Sequence, residues 1–208
     1  MEYRALIDHV ESHSQQTAHP ITVGISGYCG SGKSTLARSL VAELPRAARI
    51  RGDDFLDPAR SHRRSSDWDG VDRRRLVTTV LDPFRARQES EFRRYDWSAR
   101  ALGAPESLPK AEILVVDLIG LLHPEALPSL DVTVWCDVDL NTAAERGMAR
   151  DQRLGRDHES LWRDVWLPNE IDFAERFGPR ASATILLDAS SSAVASSGDR
   201  RYEAGRTV

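Results

Sequence analysis

A glycine-rich segment near the amino terminus has the residue types and spacing of a phosphate-binding loop. It reads Gly27-Tyr-Cys-Gly-Ser-Gly-Lys-Ser34 and matches G-x-x-x-x-G-K-S/T at every fixed position. Glycines let successive backbone N–H groups turn inward around phosphates, and the following helix N-terminus adds positive charge. Lys33 would reach the β- and γ-phosphates, and Ser34 would offer a hydroxyl to Mg²⁺. The predicted ATP-binding residues are Gly27, Cys29, Gly30, Ser31, Gly32, Lys33, Ser34 and Thr35.

An acidic residue that ends an apolar run is a second candidate for holding Mg²⁺. Asp117 closes the run Glu112-Ile-Leu-Val-Val-Asp117, where a carboxylate can bind the metal directly or through water. The alternative is an acid that merely caps a strand. No glutamate follows Asp117 directly, so the acid pair that many ATPases use to activate water is missing. This favours transfer to a bound substrate over hydrolysis.

A second acidic site follows the short apolar segment 48–50. Asp53 could face the γ-phosphate and take the proton of an attacking hydroxyl, which is the work of a general base. The alternative is turn chemistry, because Gly52-Asp53-Asp54 is also a natural turn sequence. The residues alone do not decide between these two interpretations.

Arginines recur at spacings of four and three in one polar segment, at Arg146, Arg150, Arg153 and Arg156. A solvated helix face is the usual fate of such charge. The alternative, which we favour, is a lid whose guanidinium groups close on the transferring phosphoryl, since this transfer needs cations beyond Lys33. In that interpretation Arg150 is catalytic, and Arg146 and Arg153 bind the nucleotide.

The elements around these residues are predicted to alternate between strand and helix. Strands are expected over 21–26, 48–50, 112–117, 131–136 and 184–187, and helices over 3–14, 33–44, 72–81, 141–156 and 159–177. This order predicts an α/β fold with a five-stranded parallel sheet, whose ligands bind at the carboxyl ends of the strands. We expect one domain over residues 1–188, with an arginine-rich lid at 146–158 and a disordered tail at 189–208. The polar stretch 58–109 is expected to form loops or a short hairpin that contact the substrate.

Composition excludes several classes of partner. The 208 residues carry a formal net charge of −4, which argues against general binding to nucleic acid or anionic membranes. No apolar run approaches the roughly 20 residues of a membrane span, so a cytoplasmic protein is expected. The two cysteines and six histidines show no spacing typical of a structural metal site. Nothing in the sequence decides whether the chain forms a homo-oligomer.

Several motifs, taken in order, resemble the uridine kinase and nicotinamide riboside kinase family. This branch of the P-loop kinases also includes phosphoribulokinase and bacterial pantothenate kinase. The resemblance runs from about residue 21 to 187 and rests on the following segments: Gly24 to Thr35, Asp53 to Pro58, Ser66 to Asp72, Tyr95-Asp96, Val116 to Gly120, Arg146 to Arg156, and Val165-Trp166.

The resemblance implies a P-loop NTPase three-layer fold and assigns further roles. Asp53 corresponds to the catalytic base, and Phe55 belongs to the same substrate-binding motif. Asp69 matches the family's ribose-binding aspartate better than Asp67 does, and Asp67 stays a possible alternative. Tyr95 matches an aromatic residue that lines the nucleoside pocket. Asp117 stands where the family usually has Glu, and its shorter side chain suits a water-mediated contact with Mg²⁺.

The sequence departs from the uridine kinases beside Tyr95. Those enzymes carry a histidine shortly after this tyrosine, whereas this chain reads Trp97-Ser-Ala-Arg100, and its segment between Asp54 and Asp69 is shorter. We therefore predict a kinase that uses ATP and Mg²⁺ to phosphorylate a small-molecule hydroxyl, the 5′-hydroxyl of a nucleoside first of all. The alternatives are a kinase of another alcohol, such as a sugar or a pantothenate-like acid, and a regulatory protein that binds ATP without transfer.

Overall fold

The computed structural model describes residues 1–57, 59–96, 99 and 101–189. The predicted disordered tail therefore lies, apart from Ala189, outside the described residues. These residues form seven strands: β1 Ile21–Ser26, β2 Ala47–Arg51, β3 Glu91–Asp96, β4 Ala101–Ser107, β5 Ile113–Asp117, β6 Val132–Asp137 and β7 Ile185–Asp188. The helices are α1 Tyr3–Gln16, α2 Lys33–Glu43, α3 Arg73–Leu76, α4 Asp82–Arg85, α5 Leu140–Arg153, α6 Glu159–Leu161, α7 Leu167–Phe177 and α8 Pro179–Ser182.

The central sheet has five strands in the order β2-β5-β1-β6-β7, and every neighbouring pair is parallel. The predicted five-stranded parallel sheet is confirmed. All six residues of β1 are buried, as are all five of β5, because each strand has a partner on both sides and helices on both faces. The carboxyl ends of β1, β2, β5 and β6 therefore meet at one edge, which is where the predicted phosphate loop and acids fall.

Two apolar clusters fill the space on the two sides of this sheet. One joins α1 and α2 to alternate residues of the strands, including Leu6, Leu36 and Val115. The other packs Phe55, Leu76 and neighbouring residues against the opposite face. Strand residues alternate between the clusters, as the period of two along a strand requires.

The polar stretch that follows β2 contains one long helix and a hairpin. β3 and β4 pair antiparallel from Glu91 opposite Ser107, which confirms the predicted hairpin. The helix was predicted to end at Leu81, yet α3 and α4 are continuous through a π turn over Val77–Leu81. The π turn ends two residues before Pro83, which has no N–H to donate to the hydrogen bonds of the helix.

A second π turn, over Trp162–Trp166, joins α6 to α7 into the predicted helix 159–177. It too precedes a proline near the start of the next α-helical segment. π turns inside α-helices are frequent at functional sites. Within the described ranges, no helix combines the length and apolarity needed to cross a bilayer.

Candidate active site

The phosphate loop leaves β1 and enters α2 at Lys33. Gly30 and Gly32 have φ angles of +87° and +97°, which explains the glycine at each position, because other residues rarely adopt them. The Lys33 ammonium donates to the carbonyls of Gly27 and Tyr28, at 2.9 Å and 2.8 Å. The lysine thus lies along the inner side of the loop that the motif predicts for phosphates.

The phosphate loop packs directly on α5. A methyl group at Gly30 would lie 2.0 Å from the carbonyl oxygen of Ala143. One turn further along α5, a methyl group at Gly147 would lie 2.4 Å from the indole ring of Trp162, which is 2% exposed. Gly30 and Gly147 therefore allow α5 to pack in direct contact with the loop on one side and with the Trp162 ring on the other. The motif explains a glycine at position 27 or 32 but not this packing, which sequence reasoning missed.

Asp53 stands at the carboxyl edge of the sheet, in a 3₁₀ turn over Gly52–Phe55 that follows β2. Its carboxylate accepts no hydrogen bond from any described residue, and its nearest cation, Arg51, is 3.8 Å away. A turn-forming aspartate would bond to a nearby backbone N–H, so this geometry favours the general-base interpretation. Desolvation and then the negative charge of Asp117 raise the pKa of Asp53.

Asp117 is 4% exposed and forms a bidentate ion pair with Arg49. The Arg49 Nε and Nη2 atoms lie 2.6 Å and 2.8 Å from its two carboxylate oxygens. Because Arg49 binds both oxygens, the carboxylate is held in one orientation. A metal beside it would then be contacted through water, which Mg²⁺ readily keeps as a ligand. The sequence signal for Arg49 is an arginine inside the strand that pairs with the one ending in Asp117. The assignment of Asp117 to Mg²⁺ stays a prediction.

A buried acid from the far end of the chain contacts the phosphate loop. Glu170, on α7, is 3% exposed, and its carboxylate accepts the backbone N–H of Cys29 at 2.6 Å. Burial raises the pKa of Glu170 to about 7, although the positive charge of Lys33 opposes the shift. The Cys29 thiol also has a raised pKa, chiefly because of desolvation. Sequence reasoning missed Glu170, since no local pattern separates it from other helix acids.

Glu170 makes the stability of the protein depend on pH. Its pKa is about 7 in the folded chain and 4.5 ordinarily, so ionisation opposes folding. This contribution to stability is therefore full below pH 4.5 and is lost as the pH rises through 7, by roughly 3 kcal/mol in total. We expect Glu170→Gln to remove that loss, in urea unfolding measured at several pH values. An unchanged pH dependence in this variant would contradict the shifted pKa.

The predicted lid arginines lie on the second half of α5 and in the turn after it. Arg150 donates to the carboxylate of its neighbour Asp151 at 3.1 Å, and Arg146 donates to the carbonyl of Ala189 at 2.8 Å. Arg153 is exposed in the last turn of the helix. The structure therefore brings none of these three guanidinium groups onto the phosphate loop, and their roles stay predictions.

Asp151 is a buried hydrogen-bond acceptor for several side chains around the end of α5. It is 3% exposed and accepts hydrogen bonds from the Trp162 indole at 3.0 Å and from Arg150. The His158 ring lies 3.2 Å from the same carboxylate, and Arg156 lies 3.9 Å away. A buried carboxylate with several donors holds the turn that follows α5, which is part of the predicted lid, against the helix.

Phe55, one of the residues predicted to contact the acceptor, lies in the core. Phe55 was predicted to bind substrate, but its side chain is 0% exposed. It stacks on Phe92 at 6.2 Å, and the guanidinium of Arg75 lies 4.4 Å from its ring centre. The Phe55 ring therefore belongs to the core and packs beneath the turn that carries Asp53.

The other residues predicted to contact the acceptor lie on the loop 61–69, which we term the acceptor loop, and on β3. Asp69 is exposed and Asp67 is half-buried. Ser65 binds both: its hydroxyl donates to the Asp67 carboxylate at 2.8 Å and accepts the Asp69 N–H at 3.0 Å. Tyr95 is half-buried on β3, opposite Leu102. The choice between Asp67 and Asp69 stays open.

Comparison with known proteins supports this picture of the fold and its motifs. No family model matches the chain. It is 29% identical over 147 residues to uridine-cytidine kinase C of Dictyostelium discoideum, a match that covers 68% of this chain and 32% of that protein. It is 25% identical over 153 residues to uridine kinase of Clostridium perfringens, covering 68% of this chain and 74% of that one. The match thus spans about a third of the first relative and about three quarters of the second.

Two solved structures share the fold over most of their length. A possible uridine kinase from Bacillus stearothermophilus aligns with a TM-score of 0.67 at 18% identity, covering 89% of this chain and 98% of that one. A candidate fructose transport system kinase from Silicibacter sp. TM1040 aligns with a TM-score of 0.69 at 20% identity and the same coverage. At such identities the likeness concerns the fold, a five-stranded parallel sheet with flanking helices.

Proposed function

We propose that this chain, uridine kinase-like in sequence and a P-loop kinase in fold, transfers the γ-phosphoryl of ATP to a hydroxyl of a small molecule, the 5′-hydroxyl of a nucleoside first of all. One observation carries the proposal. The complete phosphate loop shares the carboxyl edge of the sheet with Asp53, whose carboxylate accepts no hydrogen bond from the described residues. Its sequence relatives named uridine kinase support the nucleoside as acceptor.

In this proposal Asp53 accepts the proton of the attacking hydroxyl. Its raised pKa makes the ionised carboxylate a stronger base than that of an ordinary aspartate. Lys33 and the phosphate-loop N–H groups hold the β- and γ-phosphates, and the α5 arginines supply further positive charge. Little covalent chemistry falls to the protein, so positioning and electrostatics supply most of the rate.

Mg²⁺ and the nucleotide fit the residues present. Ser34, in the first turn of α2, and the carboxylate of Asp117 are oxygen ligands, which Mg²⁺ prefers. Because Arg49 engages both oxygens of Asp117, the metal would be held there through water. When bound, Mg²⁺ neutralises the charge that develops on the phosphates.

The charges near the acceptor loop favour an uncharged acceptor. Arginines between positions 60 and 75 could attract an anion, but most of them already pair with other groups of this chain. Arg60 pairs with Asp57 at 2.8 Å, Arg64 with Asp172 at 2.6 Å and Arg75 with Asp72 at 3.1 Å. Arg73 is 4% exposed and donates to backbone carbonyls. A nucleoside suits this setting better than a pantothenate-like acid.

The experiment is ADP release from Mg·ATP across a panel of nucleosides, sugars and pantothenate. We expect uridine, cytidine or nicotinamide riboside to stimulate release, and Lys33→Ala to abolish it because the phosphates lose the cation of the loop. Lys110→Ala is the matched control, since Lys110 is exposed and precedes β5 at the opposite edge of the sheet. Stimulation by sugars or pantothenate alone would discard the nucleoside. If ATP binds but no compound of the panel stimulates ADP release, the proposal that the chain is a kinase would be rejected.

A further inference from the structure

Two neighbouring residues of α7 are polar and almost fully buried. Asn169 is 1% exposed and Glu170 is 3% exposed. Burying one unpaired polar side chain is costly, so two in succession require partners. Each has partners, and the partners belong to two different loops: the phosphate loop and the acceptor loop. The pair therefore joins two regions that are far apart in sequence.

Glu170 forms the connection to the phosphate loop. Its carboxylate accepts the Cys29 N–H at 2.6 Å, across 141 positions of sequence. A hydrogen bond that a carboxylate accepts from a backbone N–H is charge-assisted and stronger than a neutral one. The position of this part of the phosphate loop thus depends on where α7 lies.

Asn169 forms the connection to the acceptor loop through three hydrogen bonds. Its side-chain oxygen accepts the Ser65 N–H at 2.8 Å and a guanidinium N–H of Arg64. Its side-chain nitrogen donates to the Arg63 carbonyl at 3.0 Å. Since the amide uses both its oxygen and its nitrogen, it fixes the loop backbone in one orientation.

The hydrogen bonds continue from Ser65 to both acids that are candidates for binding the acceptor. The Ser65 hydroxyl donates to the Asp67 carboxylate and accepts the Asp69 N–H. A continuous path therefore runs from Cys29 through Glu170, Asn169 and Ser65 to these acids. Two further bonds tie the same loop to α7, from Arg64 to Asp172 at 2.6 Å and from Arg176 to Ser66 at 3.1 Å.

We propose that Asn169 and Glu170 are positioning residues that couple the phosphate loop to the acceptor loop, so that a bound nucleotide orders the residues that receive the acceptor. Adjacent residues of a helix move together, and a displacement of Cys29 is passed to Ser65 without an intervening flexible segment. The coupling rests on the proposed function, because it requires a nucleotide at the phosphate loop. By linkage, an acceptor would strengthen nucleotide binding by the same factor.

The test is amide hydrogen exchange with and without Mg·AMP-PNP, which needs no knowledge of the acceptor. In the unmodified protein we expect the nucleotide to slow exchange in residues 27–34 and also, by about fivefold or more, in the acceptor loop. In Glu170→Ala and Asn169→Ala the first effect should remain and the second should fall below about twofold. Glu175→Ala, an exposed residue of the same helix, is the matched control and should behave like the unmodified protein.

Two further variants separate coupling from general damage. Glu170→Gln keeps an oxygen that can accept the Cys29 N–H, so the acceptor loop should still respond. Ser65→Ala removes one hydroxyl and keeps the Asn169 contacts, so protection should persist at 63–65 and disappear at 67–69. If acceptor-loop protection survives in both alanine variants, or is missing from the unmodified protein while 27–34 is protected, the coupling is refuted. Absence of any nucleotide effect in the unmodified protein would refute the proposed function and, with it, the coupling.

Discussion

Replacing Asp53 by asparagine should lower kcat by about 10²–10⁴-fold, which is the range that general bases supply, while Mg·ATP binds as before. Asparagine keeps the size of the side chain but cannot take the proton of the attacking hydroxyl. Since the Asp53 carboxylate makes no hydrogen bond with the described residues, the fold should lose nothing. The measurements are steady-state kinetics with the acceptor found in the panel and binding of a fluorescent ATP analogue.

Asp54→Asn is the matched comparison because the neighbouring acid has a structural partner. Asp54 is 4% exposed and pairs with Arg94 of β3 at 3.0 Å. Its loss should reduce stability and leave most of the turnover in the folded fraction. Equal losses of kcat in the two variants, or normal turnover in Asp53→Asn, would show that Asp53 is not the base. Activity of the unmodified protein should also fall as the pH drops below the raised pKa of Asp53.

Replacing Gly30 by alanine should destabilise the folded protein by several times the cost of the same change at Gly32. Both glycines have positive φ, so both substitutions carry the left-handed penalty of about 1–2 kcal/mol. Only at Gly30 does the new methyl meet another group, the Ala143 carbonyl at 2.0 Å. At Gly32 nothing lies within 4 Å. Since the obstacle at Gly30 is backbone, no side-chain rotation relieves it, and α5 must move away from the loop.

Urea unfolding of both variants checks this difference, and it does so without reference to catalysis. We expect a free energy of unfolding for Gly30→Ala that is lower than that of Gly32→Ala by about 3 kcal/mol or more, which places it among strongly destabilising changes. Equal stabilities would mean that the loop and α5 are not in contact.

The sheet and the phosphate loop were predictable because their signals are local. The strands are short runs of β-branched and apolar residues, and the eight residues from Gly27 to Ser34 carry their own chemistry wherever they occur. The position of Asp53 followed from topology, since a residue after a parallel strand lies at the carboxyl edge.

What the sequence did not reveal depends on contacts between distant residues. Arg49 and Asp117 are 68 positions apart, and Cys29 and Glu170 are 141 apart. No local pattern states that a helix acid will be buried against a loop. For Phe55 the local pattern was misleading. The nearby Asp53 suggested a role in the site, whereas the apolar ring of Phe55 belongs to the core.

The π turn over Trp162–Trp166 determines the directions in which the side chains of α7 point around the helix axis. In a regular α-helix each residue advances by about 100°, so side chains four apart drift steadily around the axis. The π turn carries one additional residue, which lets Trp162 lie on α5 while Glu170, further along, still faces the phosphate loop. If the same residues wound as a regular α-helix there, everything after them would be rotated by about 100° relative to Trp162. Asn169 and Glu170 would then face away from the two loops they hold, although no residue of either loop had changed.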